Sequence, residues 1–215
     1  MPRCLRKTGP AKPSCNYCCM HNTSSPSVRD WNNGWYAPAQ RLDSPNFGER
    51  PTSACTDLVV IHSISLPPGS YGGGEIQALF TNQLDWNAHP YFRSIRGMQV
   101  SAHFLVARNG ALWQFVSCDH RAWHAGPSSF QGRDNCNDFS VGIELEGLEG
   151  TCFEPSQYTT LVTLCQALQL RYPMQFISSH EHIAPGRKQD PGAGFDWSAL
   201  ETLKNYCPQS YKFFV

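Results

Sequence analysis

No apolar run in this 215-residue chain approaches the roughly 20 residues that a membrane-spanning helix needs, so no segment reads as transmembrane. An excess of charge is missing too: Lys plus Arg and Asp plus Glu both number 17. A neutral balance gives no electrostatic case for nucleic acid or an anionic membrane as partner. The basic start, MPRCLRKTGPAKPSCNYCC, lacks an apolar stretch after it, which makes it a poor secretory signal and sets the cytoplasm as the expected location. Internal repeats are absent. So is a regular cysteine spacing: of ten cysteines, Cys4, Cys15, Cys18 and Cys19 crowd the start, while Cys55, Cys118, Cys136, Cys152, Cys165 and Cys207 are scattered. That is the pattern of free thiols rather than of a disulfide framework. No paired Cys or His cluster lies near CNYCC to complete four metal ligands, and Met20 just after it is a second candidate start.

What is present suits one compact domain with many ordered loops: 12% aromatics, 17 Gly and 16 Pro. Residues 1–27, rich in Pro, Ser, Lys and Cys and without periodicity, are expected to form a disordered tail, and 28–210 a single domain. The turn-rich stretch 30–51 is expected to be an irregular arm, with Trp31, Trp35 and Tyr36 as packing residues. DLVVIHS (57–63) reads as a buried strand, and the Gly/Pro-rich 65–74 as loop. Residues 75–84 show helical spacing, and 85–97 read as loop. Two apolar runs flanking Asn109-Gly110 predict a hairpin over 100–117 with a type I′ turn. FSVGIELEG (139–147) alternates like a strand. Leu161, Leu164, Cys165 and Leu168 mark a helix over 155–173, with Ser156 able to cap it and Pro173 just past its end. A short strand over 174–180 and a last helix over 195–207, capped by Asp196, complete a mixed α/β domain around one central sheet.

Two of the strands end in histidine, His62 in VVIH and His180 in FISSH, each where the chain enters a Gly/Pro loop. Ligands tend to bind beyond strand ends in α/β sheets, where strands fix positions and loops leave room. Asp190, before Pro191-Gly192, offers a third ligand on a stiffened loop. A His2Asp set with an open fourth position is a catalytic zinc arrangement rather than a structural one. His182 would share a face with His180 on a strand, so spacing leaves the choice open, with His180 favoured as the residue the strand itself positions. Glu144, flanked by apolar residues in GIELEG, is an unfavourable place for a carboxylate without a task. It is the candidate base, and Lys188 the candidate oxyanion stabiliser. A lone histidine at a strand end is more often a packing residue than a ligand, and His103, inside the hairpin, reads as a core or supporting residue. Trp123 and His124 in RAWHAG form a candidate pocket wall. Arg133 and Asn137, in the polar loop 132–138, are candidate substrate contacts; the bland alternative for both stretches is surface loop.

The runs VVIHSISLPPGSYGGGEIQALFTNQLD, VSAHFLVARNG, RAWHAGPSSFQGRDNCNDFSVGIELEG and SSHEHIAPGRKQDPGAGFDW together resemble the AmpD-type anhydro-muramoyl-L-alanine amidases, within the wider amidase_2 and peptidoglycan-recognition-protein group. The resemblance spans about residues 30 to 200. It implies a mixed sheet flanked by helices, one catalytic Zn2+, and cleavage of the amide between the lactyl group of 1,6-anhydro-N-acetylmuramic acid and L-alanine. By position it implies His62, His180 and Asp190 as zinc ligands, with Glu144 as acid/base and Lys188 beside it, and it favours His180 over His182. A small muropeptide is the implied partner and a monomer the expected state. Gln99 and Asn135 stand near places where relatives carry arginines, with Arg96 and Arg133 close by; if those arginines grip acidic groups of the stem peptide, the resemblance leaves this chain's stem-peptide preference open. The competing expectations are a non-catalytic peptidoglycan-binding module, against which the full set of five residues speaks, and a periplasmic amidase acting on intact wall.

Overall fold

A computed structural model describes residues 25–205 and 211–215. The expected tail falls, up to residue 24, outside the described residues, as do Cys4, Cys15, Cys18, Cys19 and Cys207. By residue 27 the chain is engaged: Ser27 caps a short turn, Val28–Asp30, and its N–H donates to Asp30 Oδ2 at 2.7 Å.

The core is a seven-stranded mixed sheet. Its strands are β1 (Gln40–Arg41), β2 (Leu58–Ile64), β3 (Phe104–Val106), β4 (Leu112–Gln114), β5 (Ser140–Glu146), β6 (Phe176–Ser179) and β7 (Lys212–Phe214), and their order across the sheet is β7-β6-β2-β5-β3-β4-β1. All neighbours are parallel except the β3–β4 hairpin. Two findings extend the sequence reading. The irregular arm supplies an edge strand, β1. The chain end supplies the other, β7, which pairs with β6 beyond the expected boundary at residue 210. Three residues of β-rich Lys-Phe-Phe are too few for a periodic signal.

Alternation along β2 and β5 sets up everything else. Val59 and Ile61, with Val141, Ile143 and Leu145, bury into the cluster built around helix α3 (Pro155–Arg171). Leu161, Leu164 and Leu168 of α3 are fully buried there, and each stabilises the fold by about 1.5–3 kcal/mol relative to exposure. The opposite face carries Leu58, Val60 and then His62 on β2, and Ser140, Gly142 and then Glu144 on β5. Helix α1 (Glu75–Phe80) and the short helix α2 (Pro90–Ser94) cover the β3–β4 side through Leu79, Phe80 and Phe92.

Local chemistry corrects several expectations. The hairpin turn is not type I′. Only Gly110 of the Asn-Gly pair takes a positive φ, +85°, and its N–H donates to Ala107 O at 2.8 Å, so the extra residue is absorbed by a left-handed glycine after a type I turn. Helix α3 is capped by Glu154, whose N–H donates to Gln157 Oε1 at 3.0 Å; Ser156 Oγ–H instead donates to Arg108 O at 2.6 Å, tying helix to hairpin. The 85–97 loop contains α2, started by His89 as N-cap and Pro90 in the first turn. The last helix, Trp197–Asn205, is 3-10 rather than α, with Asp196 Oδ1 accepting from Ser198 N–H at 3.0 Å.

His103 is fully buried. Its Nδ1 accepts Gly142 N–H at 3.0 Å and its Nε2–H donates to His120 O at 3.1 Å. Burial first, and the Arg50 guanidinium second, hold it well below the usual histidine range. The unfolded side chain titrates near pH 6.5, so below that pH the unfolded state binds the extra proton and stability falls. Urea unfolding of metal-free protein between about pH 8 and about pH 5 is expected to show stability declining as pH drops through about 6.5. A flat profile would contradict the buried neutral imidazole.

Candidate active site

Register brings the site together. In the parallel β5–β2 pair Glu144 stands opposite His62, and in the β6–β2 pair Ser179 stands opposite Ile61. His62 is thus set between Glu144 on one side and the residue following Ser179, His180, on the other. His180 opens a single helical turn, α4 (His180–Ile183), rather than ending a strand, with Ser179 Oγ accepting His182 N–H at 3.2 Å. The turn separates the two histidines that a strand would have aligned: His180 is buried and faces His62, while His182 is exposed. Asp190 returns through the following loop, which is pinned by Glu181 N–H donating to Asp190 O at 3.0 Å.

His62 Nδ1, His180 Nδ1 and Asp190 Oδ2 converge. The His62–His180 separation is 2.9 Å, and Asp190 Oδ2 lies 3.1 Å from His62 Nδ1 and 3.0 Å from His180 Nδ1. Among the described residues these three form a group able to hold a metal ion. Each histidine turns its other nitrogen to the protein: His62 Nε2 meets His124 Nδ1 at 2.9 Å, and His180 Nε2–H donates to Ala125 O at 3.1 Å. The same carbonyl accepts from Arg187, whose Nη2 also donates to Pro127 O at 2.7 Å, so the 125–127 backbone is clamped to the α4 loop.

The donor set fits zinc. Asp190 is buried, which alone would raise its carboxyl, but its contacts with His180 and His62 outweigh this and hold it well below the usual carboxylate range. Burial, then His180, lowers His62 to about 4, so a proton is disfavoured there at neutral pH. Two imidazole nitrogens and a carboxylate oxygen that converge in this way could hold a cation between them, and borderline nitrogen donors with one oxygen suit zinc.

A groove of about 580 Å³ opens over the triad. It is lined by Glu144, His180, Asp190 and Lys188, by Trp123, Ser65 and Leu66, and by Tyr91, Ile95 and Met98. Glu144 is 9% exposed and its Oε2 is buried without a hydrogen-bond partner. Burial, reinforced by Asp190 and opposed by Lys188, raises its carboxyl well above the usual range. Glu146, two residues on, is the contrast: its carboxylate accepts from Gly72 N–H at 2.6 Å and Arg108 N–H at 3.1 Å, so it holds loops. Lys188 is exposed at the groove and its backbone N–H donates to Ala184 O at 3.1 Å.

The remaining candidates are dispersed. Trp123 lines the groove, its N–H held by Ser101 Oγ at 3.0 Å. His124 reaches the groove edge, yet its ring points down to His62 and to Ser140 Oγ at 3.1 Å. Asn137 is buried behind that wall, with Oδ1 accepting from His124 N–H at 3.1 Å and Ala125 N–H at 2.8 Å. Arg133 does not line the groove: its guanidinium pairs with both Asp57 oxygens at 3.1 Å and lies over the Phe139 ring at 4.0 Å. Tyr91 and Met98, 37% and 43% exposed, line the groove without a periodic signal in the sequence: Tyr91 sits on a five-residue helix too short to show a period, and Met98 in the loop after it. The His-Pro pair that starts the helix was the available signal.

Residues 51–193 match the N-acetylmuramoyl-L-alanine amidase family, Amidase_2. The chain is 49% identical over 181 residues to the 1,6-anhydro-N-acetylmuramyl-L-alanine amidase AmpD of Citrobacter freundii, covering 83% of this chain and 96% of that one. A crystal structure of a selenomethionine AmpD derivative superimposes with a TM-score of 0.76 at 48% identity, over 80% of this chain and 97% of that one. The amidase AmiD of E. coli, solved with the substrate anhydro-N-acetylmuramic acid-L-Ala-D-γ-Glu-L-Lys, matches at 29% identity with a TM-score of 0.51, over 72% of this chain and 60% of that one. Fold and sequence agree, and the chain belongs to the N-acetylmuramoyl-L-alanine amidase family.

Proposed function

We propose that this chain hydrolyses the amide between the lactyl group of 1,6-anhydro-N-acetylmuramic acid and the L-alanine of small muropeptides, with one zinc held by His62, His180 and Asp190, in cytoplasmic cell-wall recycling. The observation that carries the reading is the coincidence, in one groove, of three converging metal donors and a buried glutamate oxygen with no partner. The AmpD relatives support the choice of sugar and bond.

Bound zinc supplies Lewis acidity toward a carbonyl and lowers the pKa of water to about 7. The chain's own groups do the rest. Glu144 takes a proton from the attacking water as oxygen adds to the lactyl carbonyl carbon. As the C–N bond breaks, Glu144 passes that proton to the alanine nitrogen, leaving a lactyl carboxylic acid and a free peptide amine, between which the acid's proton then redistributes to give carboxylate and ammonium. A carboxyl raised by burial is suited to both halves of that transfer. The Lys188 ammonium faces the developing oxyanion. Trp123, Tyr91 and Met98 offer apolar surface to the sugar and stem peptide.

Parallel assays on an anhydro-muropeptide, the corresponding reducing muropeptide and intact peptidoglycan test the substrate. The anhydro fragment is expected to turn over fastest and intact wall slowest. Equal or faster release of peptide from intact wall would replace the recycling role with a wall-degrading one.

A further inference from the structure

Behind His62 lies a chain of groups whose directions are fixed from its far end. Ser140 Oγ–H donates to Cys136 O at 2.6 Å, and a carbonyl can only accept. The Ser140 hydroxyl is then left to accept at its oxygen, and its neighbour is His124 Nε2 at 3.1 Å. His124 therefore carries its proton on Nε2 and a lone pair on Nδ1. That lone pair faces His62 Nε2 at 2.9 Å, which must be the donor. The consequence reaches the triad: His62 keeps its proton on Nε2 and presents an unprotonated Nδ1 to His180 Nδ1 and Asp190 Oδ2.

The backbone is shaped for this contact. A Cβ on Gly142 would stand 2.4 Å from His124 Cγ and 2.6 Å from its Nδ1, so the ring lies flat against β5 only because residue 142 has no side chain. Ser140 and Gly142 share the β5 face that ends in Glu144, and Asn137 Oδ1 fixes the backbone of His124 from behind at 3.1 Å. The ring is thus held by Ser140, by the bare backbone of Gly142 and by His62, while Asn137 holds the backbone that carries it. A histidine that only lined the groove would need none of these.

We infer that His124 is the positioning residue that sets the tautomer and orientation of His62, with Ser140 and Gly142 holding it in place. The inference rests on the proposed metal site and deepens it: zinc affinity depends on a side chain that never touches the metal. His180 has its own partner, a direct bond from Nε2–H to Ala125 O, so the His124 side chain orients His62 and not His180.

The test is the zinc dissociation constant of the metal-free protein, measured by competition with a chromophoric chelator, with near-ultraviolet circular dichroism to verify folding. His124→Leu is expected to weaken zinc by about 10–100-fold, the scale for loss of an outer hydrogen bond to a ligand. His124→Asn, which returns an acceptor oxygen near the position of Nδ1, is expected to recover most of that loss. Gly142→Ala, which deletes no hydrogen-bonding atom but displaces the ring, is expected to weaken zinc as well. A folded His124→Leu protein with wild-type zinc affinity would overturn the inference. Should His124→Leu not fold, Ser140→Ala against Ser140→Thr decides: weakened zinc restored by Thr supports the directed chain, and equal affinities overturn it. Wild-type protein that binds no zinc would overturn the metal site itself. Wild-type protein that binds zinc and cleaves muropeptide while all variants bind zinc equally would overturn only the role of His124.

Discussion

Glu144→Gln is expected to retain stoichiometric zinc and to lose about 10²–10⁴-fold in kcat, the usual contribution of a positioned acid/base. Gln fills the same volume and keeps an oxygen, so β5 and its pairing with β2 stay intact, but it can neither take up nor deliver a proton. The wild-type carboxylate is costly where it stands. It is 9% exposed, has an unpartnered Oε2, and is raised by burial and by Asp190. A structural glutamate in this sheet looks like Glu146, with two backbone N–H donors. Removing the charge at 144 should therefore leave stability unchanged or increase it, since a buried, unpaired carboxylate opposes folding. Steady-state kinetics, zinc content and urea unfolding of the variant check the three parts. Near-normal turnover would sink the assigned role.

Asp190→Asn is expected to abolish both stable zinc binding and turnover. Asp190 is the only anionic member of the triad and the one that draws the two Nδ1 atoms to a common point, 3.1 and 3.0 Å from its Oδ2. Asn keeps the shape but supplies a neutral oxygen, so the attraction for a divalent cation falls sharply. The loss should exceed the roughly 10–100-fold that follows removal of an outer hydrogen bond. Zinc retained after dialysis, read by atomic absorption, should drop from about one equivalent to near none. Full retention would mean that the metal sits elsewhere. His182→Ala, two residues beyond the proposed ligand His180 but exposed, is the matched control and should change neither quantity.

The parts of this architecture that the sequence displayed were those with a period or a chemical cost. β2 and β5 are short, β-branched and alternating, and α3 carries an uninterrupted apolar stripe, so all three stand where periodicity put them. His62, His180 and Glu144 stand out as candidates because ionisable groups sit at strand ends or between apolar neighbours, where burial must be compensated, and Asp190 because a carboxylate precedes Pro-Gly on the loop that follows His180. Short elements left no such trace. α2 has five residues and β7 three, and both matter, one as a groove wall and one as a sheet edge. The Asn109-Gly110 pair suggested a type I′ turn, but one additional residue in the loop moved the positive φ onto the glycine alone.

Side-chain direction was the other hidden quantity. His124 and Arg133 both lie in loop-like stretches, one read as a pocket wall and the other as a substrate contact. The structure points the first ring at His62 and the second guanidinium at Asp57 and Phe139. Neither partner is near in sequence, so no local pattern encodes the choice. Likewise Glu144 and Glu146 share a face and a composition. Only the three-dimensional arrival of Gly72 and Arg108 at one of them separates the loop anchor from the candidate base. The pairing of His62 with His180 depends on the parallel register of β6 on β2, a long-range fact no spacing reveals.

The measurement that bears most directly on the central claim is mass-spectrometric product analysis of purified protein incubated with anhydro-muropeptide, with and without a chelator and with zinc added back. Free stem peptide and anhydro-N-acetylmuramic acid are expected in equal amounts, abolished by the chelator and restored by zinc. An intact muropeptide in all three conditions, from protein that binds zinc and the muropeptide, would contradict the central claim and leave a recognition module in its place.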